Sequence, residues 1–296
     1  LRLADALQPF GGATIINSDS LQLYRDLQII TARPSSQDEQ QVPHRLYGIF
    51  SSDQRSSAGR WLELATDALE EVSKLGHTPI IVGGTGLYFQ ALLEGLAPVP
   101  NIPEVIRVLG RKRLEEQGNE VFYRDLTILD PIMASKTKVS DSQRLLRAWE
   151  VITATGESLA VWQKRQRNDE FSQGANINIL LMPERPQLYA RCNARFEAMS
   201  KMGAVEEVID LMTNNICESH PLMKAVGVTE IMRYLSGEID FSVAVQLGQQ
   251  ATRRYAKRQM TWFKSRMSDW YKIDTEDLES VFPEIVSFVQ RLLLTP

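Results

Sequence analysis

Cysteine is scarce and histidine nearly so. Cys192 and Cys217 lie 25 positions apart with no CxxC pair, and His44, His77 and His220 share no ligand spacing. Neither a disulfide framework nor a zinc site organises this chain. Long apolar runs are lacking as well. Ile179 to Met182 and Pro79 to Val82 are far too short to span a bilayer, and no basic segment leading into an apolar one opens the sequence. The protein is therefore expected to be cytoplasmic or matrix-soluble, without a membrane partner; a monomer is also expected. Nor is positive charge in excess: a net charge of −4 argues against coating nucleic acid through bulk electrostatics. No internal repeat or low-complexity segment is present.

What the chain does have is an ordinary globular composition. Its 296 residues, 43% hydrophobic and 24% charged, fit one large or two modest domains with a real core. The basic residues are nevertheless clustered. Arg253, Arg254, Lys257, Arg258, Lys264 and Arg266 fall within fourteen positions, interleaved with Tyr255, Trp262 and Phe263, and Lys164, Arg165 and Arg167 form a second group. Such runs are commonly solvated helix faces, but the aromatic interleaving of the first also suits phosphates and stacked bases.

The stretch from Ala13 to Arg25 organises the rest. Ala13, Thr14, Ile15 and Ile16 read as a short, apolar strand that stops at Asn17, Ser18 and Asp19, so a lone carboxylate sits at a strand's C-terminal end. Ligands bind at that end of open α/β sheets, although an Asp there also serves simply to cap the next turn. Ahead of it, Leu1 to Leu7 has helical spacing and no capping residue, the second half of a βαβ unit. A strand and a phosphate-binding turn are expected upstream, since no G-x-x-x-x-G-K-[ST] occurs in the chain.

Further on, residues 57–75 form an amphipathic helix carrying Trp61, Leu62, Leu64, Ala65, Ala68, Leu69 and Val72 on one side and stopped by Gly76. Pro79-Ile80-Ile81-Val82 reads as a buried strand of the parallel type, followed by Gly83-Gly84-Thr85-Gly86 and a new helix. That turn can cradle an anion, or it can serve close strand-to-helix packing. From about Asn101 to Asn168 the texture becomes helical and charged, bounded by Pro98, Pro100 and Pro103 before it and a polar Gly, Asn and Ser stretch to Asn176 after it. Arg144 and Arg147 stand one turn apart there, suited to phosphate or to salt bridges. Ile177 to Met182 then resumes the core as a strand, Arg191 and Arg195 share a helix face at i and i+4, and the chain from Lys224 is helical, ending on a helix from about Pro283 to Leu294.

Taken in order, Asp19-Ser20-x-Gln22-x-Tyr24-Arg25, Thr31-Ala32-Arg33-Pro34, Pro43-His44, Gly83-Gly84-Thr85-Gly86-Leu87-Tyr88, Arg144-x-x-Arg147-Ala148-x-Glu150-Val151 and Thr252-Arg253-x-x-Ala256-Lys257-Arg258-Gln259-x-Thr261-Trp262-Phe263 resemble the tRNA dimethylallyltransferases, also called tRNA isopentenyltransferases. The resemblance runs from Leu1 to about Tyr271. It implies an α/β fold with a P-loop NTPase-like, nucleotide-binding (ATP-type) parallel sheet flanked by helices, and an all-helical insertion domain. The expected boundaries are 1–102 for the first part of the core, 103–168 for the insertion and 169–296 for the second part.

The implied reaction moves a dimethylallyl group from its diphosphate to N6 of the adenosine 3′ of the anticodon in tRNA, with Mg²⁺ as cofactor. By resemblance Asp19 is the general base, Thr85 contacts the reacting region, and Arg195 with Arg191 holds the diphosphate beside the upstream P-loop, which would carry the Mg²⁺ ligand. The tRNA anticodon stem-loop would be contacted by Asp19, Ser20, Leu21, Gln22, Thr85, Gln143, Arg144, Arg147, Lys224, Gly227, Lys257, Arg258, Gln259, Trp262 and Lys264, the target base being extruded from its loop. At Gly227-Val228-Thr229-Glu230 the family more usually has Gly-Tyr-Lys/Arg-Glu, and no zinc finger follows, as in the bacterial type. Two other classes share some of these features. An adenylate isopentenyltransferase would lack use for the insertion and the basic segment, and a non-catalytic tRNA-binding protein would lack the P-loop altogether.

Overall fold

The structure is a computed structural model that describes residues 1–165, 176–214, 216–217, 220–274 and 278–293. Arg167, Leu294 and most of the polar stretch from 168 lie outside the described residues. The chain divides into two compact units, one of Leu1–Leu92 with Gly174–Pro296 and the other Leu93–Gln173.

The first unit opens with α1 (Arg2–Ala6), which buries Ala4, and the chain then turns through Gly11 and Gly12, both at positive φ, into β1 (Ala13–Asn17). A capping box starts α2 (Ser36–Gln41): the Ser35 hydroxyl accepts from the Asp38 amide and the Asp38 carboxylate accepts from the Ser35 amide. β2 (His44–Arg45) lies parallel to β1, with Ile15 opposite His44. Ser57 caps α3 (Ala58–Lys74), which buries Trp61, Ala65, Ala68, Leu69 and Val72, the stripe expected from its periodicity. β3 (Thr78–Val82) pairs in parallel with the other side of β1, from Ala13 opposite Thr78 to Asn17 opposite Val82. The order β2-β1-β3 makes β1 central, which is why all five of its residues are buried.

β3 departs from expectation. It has one partner strand among the described residues, Pro79 is exposed and Val82 is 47% exposed, so it is half-exposed rather than a buried strand. A proline, which cannot donate to a ladder, is tolerated at such an edge. Past β3 the chain enters α4 (Gly86–Glu94), burying Tyr88, Phe89, Ala91 and Leu92.

The regular elements of the second unit are all helices among its described residues. α5 (Glu104–Leu129) is broken at Gly118, where φ is +72° and the helix cannot continue. Asp130 caps α6 (Pro131–Lys136) and Asp141 caps α7 (Ser142–Thr155), which ends at left-handed Gly156 before α8 (Leu159–Trp162). Phe122, Leu126, Met133, Leu145 and Trp149 form its core.

Back in the first unit come β4 (Ile179–Leu181), α9 (Arg185–Lys201), α10 (Ala204–Thr213), α11 (Val228–Leu235), α12 (Phe241–Arg266), β5 (Tyr271–Ile273) and α13 (Leu278–Leu293). The strand expected over 177–182 exists but does not rejoin the first sheet. β4 pairs in parallel with β5, which the sequence did not announce, as a separate two-stranded sheet. α13 likewise begins five residues before Pro283, which sits inside it. The close approach of α9 to α12 rests on Gly248, where a Cβ would come within 2.1 Å of the Phe196 ring. None of the described helices is long and apolar enough to cross a membrane.

Candidate active site

Asp19 follows directly on the end of β1, held by an Asx hub. The Asn17 side chain accepts from the Asp19 amide at 2.8 Å and donates to the Asp19 and Leu46 carbonyls at 2.9 and 3.0 Å, so one buried amide fixes the loop on both sides. The Asn17 carbonyl in turn accepts from the indole of Trp61 at 2.9 Å, and that indole stacks on Tyr88 with centroids 4.5 Å apart. The Asp19 carboxylate accepts from the Leu21 amide at 2.9 Å. The capping reading is thus correct as far as it goes, but the turn it caps faces a cavity.

That cavity, about 80 Å³, is lined by Asp19, Leu21, Ile30 and Thr31 from the β1 side, by Arg195, Phe196 and Met199 from α9, by Ala225 and Val226, and by Thr252 and Tyr255 from α12. Of the residues expected at the site, it brings together Asp19, Leu21 and Arg195. Burial raises the Asp19 pKa, opposed by the amides of Leu21 and Gln22 and by the positive Arg195. The carboxyl is therefore more basic than a solvated one. Burial also pushes Tyr47 and Tyr88 up to about 12, with the Asp19 charge adding to both, and Tyr255 upward for the same two reasons. These phenols are neutral donors at neutral pH. Apolar Leu21, Ile30, Phe196 and Met199 beside one carboxylate and one guanidinium give a site suited to a short hydrocarbon with an anionic group attached.

The glycine-rich turn resolves in favour of packing. A Cβ at Gly83 would stand 2.2 Å from the Ser18 carbonyl carbon, one at Gly84 2.1 Å from the Gln259 amide, and one at Gly86 2.3 Å from the Trp262 ring. The Thr85 amide donates to the Ser18 carbonyl at 3.2 Å, and the Thr85 hydroxyl accepts from the Ser20 amide at 3.0 Å. Gln259 donates to the Gly84 carbonyl at 3.0 Å. Thr85, Gln259 and Trp262 thus clasp the turn against the Asp19 loop, and Ser20 is held by Thr85.

The remaining expected residues are spread over both units. Gln22 donates to the Thr31 and Ala32 carbonyls at 2.8 and 3.3 Å, tying down the cavity wall. Arg191 is exposed one turn before Arg195 on α9 and is not among the cavity-lining residues. Lys224 is exposed; Gly227 is buried at φ +98°, where a Cβ would meet Phe196 at 2.5 Å. Val228, at the departure from the family pattern, is fully buried, so an apolar residue there belongs to the core. Lys257, Arg258 and Lys264 are exposed on α12, Arg258 lying 5.4 Å from the centroid of Tyr255. In the helical unit Gln143 is exposed, Arg144 pairs with Asp141 at 3.4 Å and Arg147 with Glu150 at 3.5 Å. Both arginines thus make ion pairs within their own helix or its cap.

Sequence reasoning missed the wall residues Ile30, Phe196, Met199 and Thr252 and the hub Asn17. Phe196 and Met199 on α9, like Thr252 and Tyr255 on α12, lie at i and i+3, a signal indistinguishable from core packing.

The IPP transferase family model matches residues 22–266. The tRNA dimethylallyltransferase of Parvibaculum lavamentivorans is 42% identical over 99% of this chain and 93% of its own length, and that of Phenylobacterium zucineum 40% identical over 100% and 94%. Among solved structures, the full-length tRNA isopentenylpyrophosphate transferase of Bacillus halodurans superposes with a TM-score of 0.69 at 29% identity, covering 99% of this chain and 90% of that one. A eukaryotic dimethylallyltransferase acting on tRNA gives 0.78 at 24%, covering 95% and 72%, a likeness of fold. The matched stretch runs from Gln22, in the turn capped by Asp19, through the last turn of α12 and so takes in the cavity residues from Ile30 to Tyr255, Asp19 and Leu21 standing just before it: this chain belongs to the IPP transferase family.

Proposed function

We propose that the protein transfers a dimethylallyl group from dimethylallyl diphosphate to N6 of the adenosine 3′-adjacent to the anticodon of tRNA. The observation that carries this is the half-buried Asp19 carboxylate sharing one small, largely apolar cavity with Arg195 in a chain of this family. In the transfer the adenine N6 attacks the allylic carbon, the carbon to oxygen bond breaks, and the electron pair leaves with diphosphate. Asp19 takes the proton that N6 sheds as the new bond forms, a task for which its raised pKa suits it. Arg195 faces the developing negative charge of the leaving group, with Arg191 a turn away along α9. Mg²⁺ would neutralise that charge further when bound. Among the described residues no group of three or more His, Cys, Asp or Glu is arranged to hold a metal ion.

The test uses the protein as its gene encodes it, with Mg²⁺, labelled dimethylallyl diphosphate, and unmodified tRNA or AMP as acceptor. Label is expected in tRNA and absent from AMP. Label in AMP alone would assign the adenylate class instead, and label in neither, with tRNA still bound, would leave a binding protein.

Exposed Lys257 provides a second check on tRNA binding. Lys257→Ala is expected to weaken tRNA binding and to make log K less steep in log[salt], by roughly 0.7 to 0.9 for each phosphate that the ammonium neutralises. Filter binding across a salt series measures this, and an unchanged slope removes Lys257 from the interface.

A further inference from the structure

Three successive backbone amides, those of Gln28, Ile29 and Ile30, converge on one side chain. Glu207 Oε1 accepts from Gln28 at 2.8 Å and from Ile29 at 2.7 Å, and Oε2 accepts from Ile30 at 3.0 Å. Consecutive N–H groups turned to one point make a nest for an anion. Here the protein's own carboxylate fills it, so this nest is not where a diphosphate sits. Glu207 stands in the first turn of α10, where the helix dipole favours a negative charge. Its neighbour Gly203 is at φ +111°, with Ile29 Cδ1 3.0 Å from where a Cβ would be, so the turn and the start of α10 also meet by shape.

The clamped turn leads straight into the cavity wall. Ile30 and Thr31 line the cavity beside Asp19, opposite the α9 residues that precede α10 in the chain. Gln22, from the Asp19 loop, grips the same turn through the Thr31 carbonyl. We propose that Glu207 is a positioning residue for the transfer reaction: by holding the amides of 28–30 it fixes the distance between the wall carrying Ile30 and Thr31 and the helix carrying Arg195. This rests on the prenyl-transfer reading of the site.

The bonding pattern separates this role from simple packing. Glutamine has the shape of glutamate but one accepting oxygen, and its NH₂ would face an amide N–H. If Glu207 only filled space, Glu207→Gln would restore what Glu207→Ala loses. If it clamps the turn, both variants loosen it. Small misplacements at a reacting centre cost about 100-fold. Both variants are therefore expected to lose about 10- to 100-fold in kcat, with KM for tRNA within about twofold and amide hydrogen exchange of residues 28–30 accelerated.

Wild-type protein run in parallel separates the two claims. If wild type labels tRNA and folded Glu207→Gln keeps its kcat, the proposal is overturned. If wild type labels nothing, the functional reading fails, and the exchange arm alone decides: faster exchange at 28–30 supports the clamp and unchanged exchange overturns it. Should Glu207→Ala not fold, Glu207→Gln carries both arms, and Glu207→Asp, which keeps the charge but falls short by one methylene, supplies the second variant. Unchanged kcat in Glu207→Asp with fast exchange at 28–30 would also overturn it.

Discussion

Asp19→Asn is expected to lower kcat by roughly 10²- to 10⁴-fold, the range that a positioned general base supplies, while tRNA affinity stays within about twofold. Asparagine keeps an oxygen that accepts from the Leu21 amide, so the turn survives and only the base is lost. The pH dependence has a definite sign. Burial holds the Asp19 pKa above that of the unfolded chain, so ionising it costs stability; the cost is absent below the unfolded value, grows as pH rises through the folded one and is complete above it. The variant should consequently be at least as stable as wild type at pH 7, with the difference vanishing in acid. The acid limb of wild-type kcat/KM should likewise lie above the range of a solvated aspartate. Turnover near the wild-type rate removes Asp19 from the role of base, and a variant that melts well below wild type at pH 7 overturns the burial cost.

The largest effect on stability is expected at Trp61. Its side chain is fully buried, stacked on Tyr88, and it supplies the N–H that satisfies the Asn17 carbonyl. Trp61→Ala should cost about 3–5 kcal/mol through the cavity it leaves. Trp61→Phe, which retains a ring but orphans the carbonyl, should cost about 1–3 kcal/mol. Urea titration followed by circular dichroism ranks the two. Because Asn17 holds the Asp19 amide, both variants should also lose activity in the folded baseline. A loss under about 1 kcal/mol for alanine would show that the indole is not the keystone its contacts describe.

The features legible in the sequence are those written in local patterns. β1 is a β-branched run ended by turn formers, α3 has its stripe, and Asp19 stands out because it follows that run. The wall of the cavity left no such trace. Phe196 and Met199 occupy positions any packed helix fills with apolar residues, and Glu207 reaches backbone amides up to 179 positions away, which no side-chain motif records. β5 is three residues long, too short for alternation to show. Pro283 is a poor guide to where α13 starts, because proline favours a helix's first turn whereas this helix begins at Leu278. For β3, apolar content says nothing of how many partner strands it has.

The cavity takes its walls from residues 19–31 and from 195–255, and this separation has a consequence for how the protein is made. On a ribosome adding about 5–20 residues per second, Asp19 exists roughly 10 to 50 s before Tyr255 is joined to the chain. The pairings of β1 with β2 and β3 lie within residues 13–82 and can form early, whereas β4 waits for 271–273. The nascent protein thus holds its carboxylate on a finished strand while Leu21 and Ile30 still face water. The site cannot close before Tyr255 has been added, and in that interval the half-built site is apolar surface open to chaperones.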